Sequence, residues 1–451
     1  VLFGIALLGA VYMPLNVASK GKLLEQVIKL SEAEMIIADA SLVPRLQDIE
    51  TGAINKVIIV GDLEQSPSLG NVELSYNLYS DNDNAVTTEV MPWETAAIIL
   101  TSGTTGPSKG VLVSHLQLYA TAINAMGHVT DKDIILSYGT LNHIAGLSCL
   151  YIALIRGATL VLEQRWRTEK IWPLVAQHNV TTMGLLGSVM QFLLNQPATP
   201  EEKNNSLNKI YLVPLVGDIN AIRQRFGVDV YSVWNMTETS VPLITDDKVT
   251  VNGLCGKARK GMQLRLVDDN DCEVNLGDVG ELIIRADCPW EITCGYYKND
   301  KATAAAWRNG WFHSGDAMTQ DTDGNFYFVD RMKDCIRRRG ENISSYEIET
   351  VTLDFPGIAN AAAVAVPSEH TEDDVLMVVE AKQGETVEPS QLSLFLADKL
   401  PHFMVPRYIW VIEVMPLTDT NKIQKNILRK NWECCEVWDR RVHEVSMGNK
   451  R

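Results

Sequence analysis

The feature that most constrains the fold of this chain is an alternation. Helix-compatible "KGKLLEQVIKLSEA" precedes strand-like "EMIIADA", a second helix-compatible segment and "NKVIIVGD". After a middle block the pattern resumes with "GATLVLE", the helical "TEKIWPLVAQHNV", "TTMGLLG", the helix "SVMQFLLNQP", "KIYLVPLVG" and "VDVYSVWN". Short apolar runs alternating with amphipathic helix-length segments predict parallel strands with helices on the sheet faces. Residues 63–92 lapse into Ser, Asn, Asp and Gly and read as a long surface crossing. Beyond residue 250 come short strands and turns, "MQLRLVDDND", "VGELIIRAD" and "GNFYFVDR", predicting a β-rich subdomain. Past residue 331, "NAAAVAVP", "DVLMVVEAK", the helical "PSQLSLFLADKL" and "RYIWVIEV" form a small unit of their own. The expected class is therefore α/β: a large N-terminal domain of α/β subdomains plus a β-rich subdomain, and a small mobile α+β C-terminal domain. The expected bounds are 1–330, a hinge at 331–334, 335–440, and a tail at 441–451.

At 451 residues and 46% hydrophobic content the chain exceeds one ordinary core and supplies apolar surface for two or three units. The opening "VLFGIALLGAVYMPL" is too short for a membrane span, has no basic residue ahead of it and no small-residue cleavage site after it, so it reads as core. Starting without Met inside that stretch, the chain is expected to lack its first N-terminal elements. A formal charge of −16, with no basic run interleaved with aromatics, argues against nucleic acid as a partner. The eight cysteines form no CxxC pair, and adjacent Cys434 and Cys435 cannot easily bridge each other. Buried or idle thiols in a reducing cytoplasm are the expectation. The sequence is compatible with a homo-oligomer.

Between two apolar runs lies "TSGTTGPSKG", residues 101–110. Glycines let backbone N–H groups approach a ligand, and hydroxyls with a lysine add donors and positive charge, so the loop suits phosphate. It is not a Walker loop: that pattern, counted from Gly103, needs glycine at 108 and Ser or Thr at 110, where Ser108 and Gly110 stand. A strand, "GVLVS", follows Lys109 before any helix, whose start is marked by Ser114 and Gln117 at capping-box spacing.

The loop resembles the phosphate loop of the adenylate-forming superfamily, which comprises acyl- and aryl-CoA synthetases, peptide-synthetase adenylation domains and firefly luciferase. Further motifs follow in the family's order, and the resemblance spans the chain to about residue 439. It implies that Thr101, Ser102, Gly103, Thr104, Thr105, Gly106 and Lys109 hold the phosphates of ATP. "VWNMTETS" is similar to the family's Tyr-Gly-x-Thr-Glu segment, with Trp234 over adenine, Asn235 in place of glycine, Thr237 facing phosphate, and Glu238 with Thr104 binding Mg²⁺. Mg²⁺ prefers oxygen ligands and is usually held by one or two carboxylates plus substrate phosphates. "GWFHSGDAM" and "VDRMKD" place Asp316 on the ribose hydroxyls, Arg331 beside ribose and phosphate, and Lys333 at the hinge.

"RRRGENISSYEIE", residues 337–349, resembles the segment that swings in for the thiol step, with Gly340 beside the pantetheine channel. "PLTDTNKIQKNILRK" resembles the Thr-Gly-Lys-Ile-Gln-Lys signature, making Lys422 the catalytic lysine, with Lys425 as the neighbouring alternative. His143 matches the gate between acyl and thiol channels. "LNHIAGLS", "GLLGSV" and the surroundings of Val233 and Val241 would build the acyl pocket, and Gly217 the adenine loop. The implied reaction is an ATP-dependent carboxylate–CoA ligation through acyl-AMP, with ATP, Mg²⁺ and CoA as cofactors and co-substrates and a small carboxylate as partner. Details resemble bacterial crotonobetaine/carnitine-CoA ligase-like enzymes; a short-to-medium fatty acid fits as well. An enzyme loading a carrier protein and an inactive acyl-adenylate binding protein remain as alternatives.

Overall fold

The computed structural model describes residues 1–63, 68–75, 88–101, 109–164, 166–194, 196–213, 219–249, 251, 253–331, 336–338, 341–343, 345–369, 372–416, 423 and 425–442. The chain opens with helix α1 (Leu2–Leu7) and amphipathic α2 (Gly21–Ser31). Parallel strands β1 (Met35–Asp39), β2 (Lys56–Val60) and β3 (Glu73–Ser75) follow. Leu24 and Ile28 of α2 pack on Val57 and Ile59 of β2, giving this corner its own core. Two expectations fail here. The opening stretch is core only in its second half: no residue of α1 is buried, and Val1 and Leu8 are about 60% exposed, whereas Tyr12 and Leu15 pack against neighbouring cores and Pro14 is buried. A helix of this length offers one narrow stripe to a neighbour: Leu2 packs against the adjoining cluster and the Phe3 ring lies 6.0 Å from that of Tyr151. The crossing at 63–92 also yields a strand, because Glu73, Leu74 and Ser75 pair with β2.

Strands β4 (Thr95–Thr101) and β5 (Lys109–Ser114) form an antiparallel hairpin, with Thr101 paired to Lys109 where the connecting loop joins them. Helix α3 (His115–Ala125) follows directly, so the strand–loop–strand–helix order read from the sequence holds. Ser114 caps α3 by accepting from the Gln117 N–H. The Gln117 side chain does not return the bond, as a capping box would have it; it crosses to another loop described below.

The next block is a parallel sheet built from β6 (Ile134–Ser137), α4 (Ile144–Arg156), β7 (Thr159–Leu162), α5 (Ile171–His178), β8 (Thr182–Leu186), α6 (Gly187–Leu194), β9 (Lys209–Val213), α7 (Ile219–Phe226) and β10 (Asp229–Tyr231). Its strand order is β10-β9-β8-β6-β7, so the chain moves from β6 outward to β7 and then back across β6 to β8, reversing direction there. Such a switch point opens a crevice at the carboxyl ends of the strands, and the turn after β6 leads into His143, the N-cap of α4. Leu136, Met183, Leu185, Ile210 and Leu212 are buried, as expected of strands covered on both faces.

An antiparallel sheet follows: β11 (Val233–Trp234), β12 (Leu243–Ile244), β13 (Leu254–Ala258), β14 (Met262–Val267), β15 (Gly280–Ala286), helix α8 (Asp300–Ala306), β16 (Trp307–Arg308), β17 (Trp311–Gln320) and β18 (Phe326–Arg331). Phe312, Leu282, Ile284 and Met318 fill its core. Val233 and Trp234, read as part of the parallel block, belong to this sheet instead.

The remainder holds β19 (Ile336–Arg338), β20 (Glu341–Ile343), α9 (Ser345–Leu353), β21 (Ile358–Pro367), β22 (Asp373–Ala381), α10 (Pro389–Lys399), β23 (Tyr408–Ile412), α11 (Lys425–Asn431) and β24 (Trp438–Asp439). Leu23, from α2, joins the core of this small unit beside Ile343, Ile348 and Leu396. Lys22 reaches Asp354 at 3.3 Å and Lys20 reaches Asp398 at 4.0 Å. Among the described residues no helix is long and apolar enough to cross a membrane.

Candidate active site

Thr101 and Lys109 close the hairpin and line a cleft of about 650 Å³ with Gly110, His143, Thr237 and Tyr297. Gly110 is required there by close approach: a Cβ at this position would sit 2.7 Å from Ile98 Cγ2. His143 Nδ1 accepts from the Ala145 N–H at 3.3 Å, so the imidazole caps α4 at the cleft wall.

Residues 293–297 run alongside β5 and fasten it to the Glu238 loop. The Leu112 N–H donates to Gly295 O at 3.0 Å, the Tyr297 N–H to Gly110 O at 2.7 Å, and the Thr293 N–H to Glu238 O at 2.8 Å. The Glu238 carboxylate is 5% exposed and its Oε1 accepts from the Tyr296 hydroxyl at 2.9 Å. Burial, reinforced by that neighbouring carboxylate, pushes the Tyr296 phenol far above its ordinary pKa, so the hydroxyl stays a donor. The Lys109 ammonium lies 4.9 Å from the centre of the same ring.

A second cluster gathers on the β-rich sheet. Trp234 is buried in its core, and the indole N–H donates to Asp316 Oδ2 at 3.1 Å. Asp316 is itself buried and stands in register opposite Arg331 across the β17–β18 pair. Asn235, where the resemblance expects glycine, accepts from the Thr239 hydroxyl at 2.9 Å and the Val241 N–H at 2.7 Å. Those bonds hold Val241 at φ +56°, a left-handed conformation that β-branched residues seldom adopt.

The structure thus joins Thr101, Lys109, His143 and Thr237 in one cleft, links Lys109 to Glu238 through Tyr296, and pairs Trp234 with Asp316. Ser102, Gly103, Thr104, Thr105, Gly106, Gly217, Lys333, Gly340 and Lys422 lie outside the described residues. Lys425 is committed within the small unit, donating to Ser345 Oγ at 2.6 Å and pairing with Glu349 at 2.6 Å. Arg338, from the three-arginine run, is buried as well: it pairs with Asp374 at 3.1 Å and donates to Val405 O at 2.7 Å. Val241 is packed with Met126, Tyr211 and Tyr231 in a buried cluster.

Two residues escaped sequence reasoning. Gln117, fully buried, donates from Nε2 to Thr237 O at 2.8 Å and Thr239 O at 3.1 Å, stapling α3 to the loop that carries Glu238. Its capping-box spacing was the visible signal, read for the wrong partner. Tyr296 had none beyond the glycine before it, since its role depends on a strand pairing far away in the chain.

Comparison with known proteins accords with this geometry. Residues 1–297 match the AMP-binding enzyme family and residues 347–422 its C-terminal domain. A crotonobetaine/carnitine–CoA ligase of Salmonella paratyphi A is 27% identical over 441 residues, 95% of this chain and 85% of that protein. Amide bond synthetase McbA from Marinactinospora thermotolerans shares the fold at a TM-score of 0.80 and 22% identity, over 94% of this chain and 86% of that one. A double mutant of o-succinylbenzoate CoA synthetase from Bacillus subtilis does so at 0.76 and 22% identity, over 95% and 85%. Matched over most of its large N-terminal part and again near its C-terminus, the chain belongs to the AMP-binding enzyme family, within the adenylate-forming superfamily.

Proposed function

We propose that this protein is an AMP-forming carboxylate–CoA ligase. A substrate carboxylate attacks the α-phosphorus of ATP, giving acyl-AMP and pyrophosphate; the CoA thiol then displaces AMP and yields the thioester. The observation that carries the reading is the hairpin end, where Lys109 and Thr101 face the cleft and Glu238 is held beside them through Tyr296.

In this reading Lys109 and Thr237 bind phosphate, Asp316 accepts from the ribose hydroxyls, and Trp234 orients Asp316 through its N–H while offering an aromatic edge to the base. Thr104 with the other loop residues 102–106 completes the phosphate cradle. Lys422 neutralises charge at the reacting centre, Arg331 steadies the ribose, His143 gates the cleft, and Gly340 serves the thiol step. Positioning and charge neutralisation supply most of the rate in such phosphorus chemistry.

The residues present fit a magnesium ion. Among the described residues no three metal-ligating side chains converge, and Mg²⁺ commonly takes one or two carboxylates with substrate phosphates; Glu238 would supply the carboxylate and Thr104 a hydroxyl oxygen. Bound there, the ion would offset charge on the departing pyrophosphate. The crotonobetaine/carnitine-CoA ligase relatives favour a small acid of that kind, with a short-to-medium fatty acid as the competing substrate.

The test is AMP release with ATP, Mg²⁺ and CoA on carnitine, crotonobetaine, butyrate and octanoate, using the full chain. CoA-dependent AMP from at least one acid is expected, and Asp316→Ala should lower kcat/KM at least ~100-fold, the scale of losing a positioning contact. No turnover of any acid would overturn the reading.

A further inference from the structure

Tyr296 touches two charged groups of the candidate site, Glu238 and Lys109. Its hydroxyl donates to Glu238 Oε1 at 2.9 Å, and the Lys109 ammonium sits 4.9 Å from its ring centre. The ring has little freedom: Tyr296 is 8% exposed, bridges Val111 of β5, and its N–H donates to Thr303 Oγ1 at 2.9 Å. Behind it, Gly295 at φ +144° lets Thr303 pack where a Cβ would be, 2.6 Å from Thr303 Cγ2. The post is therefore fixed before any ligand arrives.

A cation and a carboxylate that flank one aromatic side chain attract each other. Paired directly, each would satisfy the other and be lost to a ligand. Interposed, the phenol gives the carboxylate a neutral donor and the ammonium a π face, both weaker than an ion pair and both displaceable. Lys109 accordingly faces an aromatic ring and forms no ion pair among the described residues.

We propose that Tyr296 is a positioning residue that holds Lys109 and Glu238 apart and aimed, Lys109 toward nucleotide phosphates and Glu238 toward the divalent cation that accompanies them. This rests on the ligase reading above. The two duties reside in different parts of one side chain: the hydroxyl serves Glu238, the ring serves Lys109.

Calorimetric titration of ATP, in EDTA and in excess Mg²⁺, separates them. Tyr296→Phe keeps the ring, so its Kd in EDTA should equal that of the wild type, while the tightening produced by Mg²⁺ falls about ten-fold, the worth of one hydrogen bond to a charged group. Tyr296→Leu should additionally weaken binding in EDTA by about three- to ten-fold. A Tyr296→Phe protein that matches the wild type in Mg²⁺, or that weakens equally in both buffers, overturns the proposal; equal weakening is what a merely structural tyrosine would give. Wild-type protein that binds ATP in neither buffer overturns the ligase reading with it. If the leucine variant does not fold, the phenylalanine variant alone decides.

Discussion

Gln117 shows how one buried amide can organise a loop. Its two donors hold the carbonyls of Thr237 and Thr239, on either side of Glu238, so the carboxylate is fixed from its backbone as well as from Tyr296. Gln117→Leu keeps the bulk and strands both carbonyls, and should destabilise the protein by about 2 kcal/mol. Because Thr237 lines the cleft, ATP affinity should fall in parallel. A thermal melt and an ATP titration unchanged from the wild type would refute the staple. At this scale the sequence was only partly legible. Lys109, Thr237, Glu238 and Asp316 stand out because chemistry-bearing residues cluster around glycines and turns. Gln117 and Tyr296 act over separations of 120 and 58 residues, and no local pattern carries such a pairing.

Among the elements, the parallel sheet is clamped at the end opposite the His143 crevice. Asp133, just before β6, is salt-bridged at 2.6 Å to Lys209 of β9 and accepts at 2.7 Å from the Thr181 hydroxyl leading into β8. Burial works against the charged form, but the hydrogen bonds from Lys209, Thr181 and Thr130 outweigh it and bring the carboxyl down to about 2. A group lowered on folding stabilises the protein fully above its ordinary value near 3.8, and that contribution disappears as pH falls from about 4 toward 2. Removing the carboxylate with Asp133→Asn should lower stability by about 2 kcal/mol at neutral pH and flatten the stability–pH curve over that interval. Denaturant melts across pH 2–6 would show it, and parallel slopes for variant and wild type would count against the clamp. Strands here were readable because apolar runs covered on both faces leave little ambiguity, and the hairpin because its polar loop is bounded by two such runs. The opening helix was misread: hydrophobicity alone does not say whether a partner surface exists to bury it.

For the whole molecule, the informative contact is α2 against the small C-terminal unit. Leu23 enters that unit's core while Lys22 and Lys20 reach Asp354 and Asp398 on its rim. Exposed ion pairs of this kind are worth little, about 0–1 kcal/mol each, so the buried leucine should dominate. Leu23→Ala is expected to loosen the docking and enlarge the radius of gyration in small-angle scattering, whereas Lys22→Glu should change it only slightly and mainly at low salt. Equal scattering curves for Leu23→Ala and wild type would discount the contact. The sequence foretold a separate α+β unit but not its seat, since complementarity between distant surfaces leaves no periodic trace in either.

That seat joins partners 332 positions apart. Closing so long a loop costs chain entropy before any contact repays it, and the cost is recovered only when both faces are already shaped. Docking of the two ends is therefore expected late in folding, after each face has formed. Before it, Leu23 and the small unit's core would each lack the other's cover, and at high protein concentration α2 of one molecule would compete for the small unit of the next.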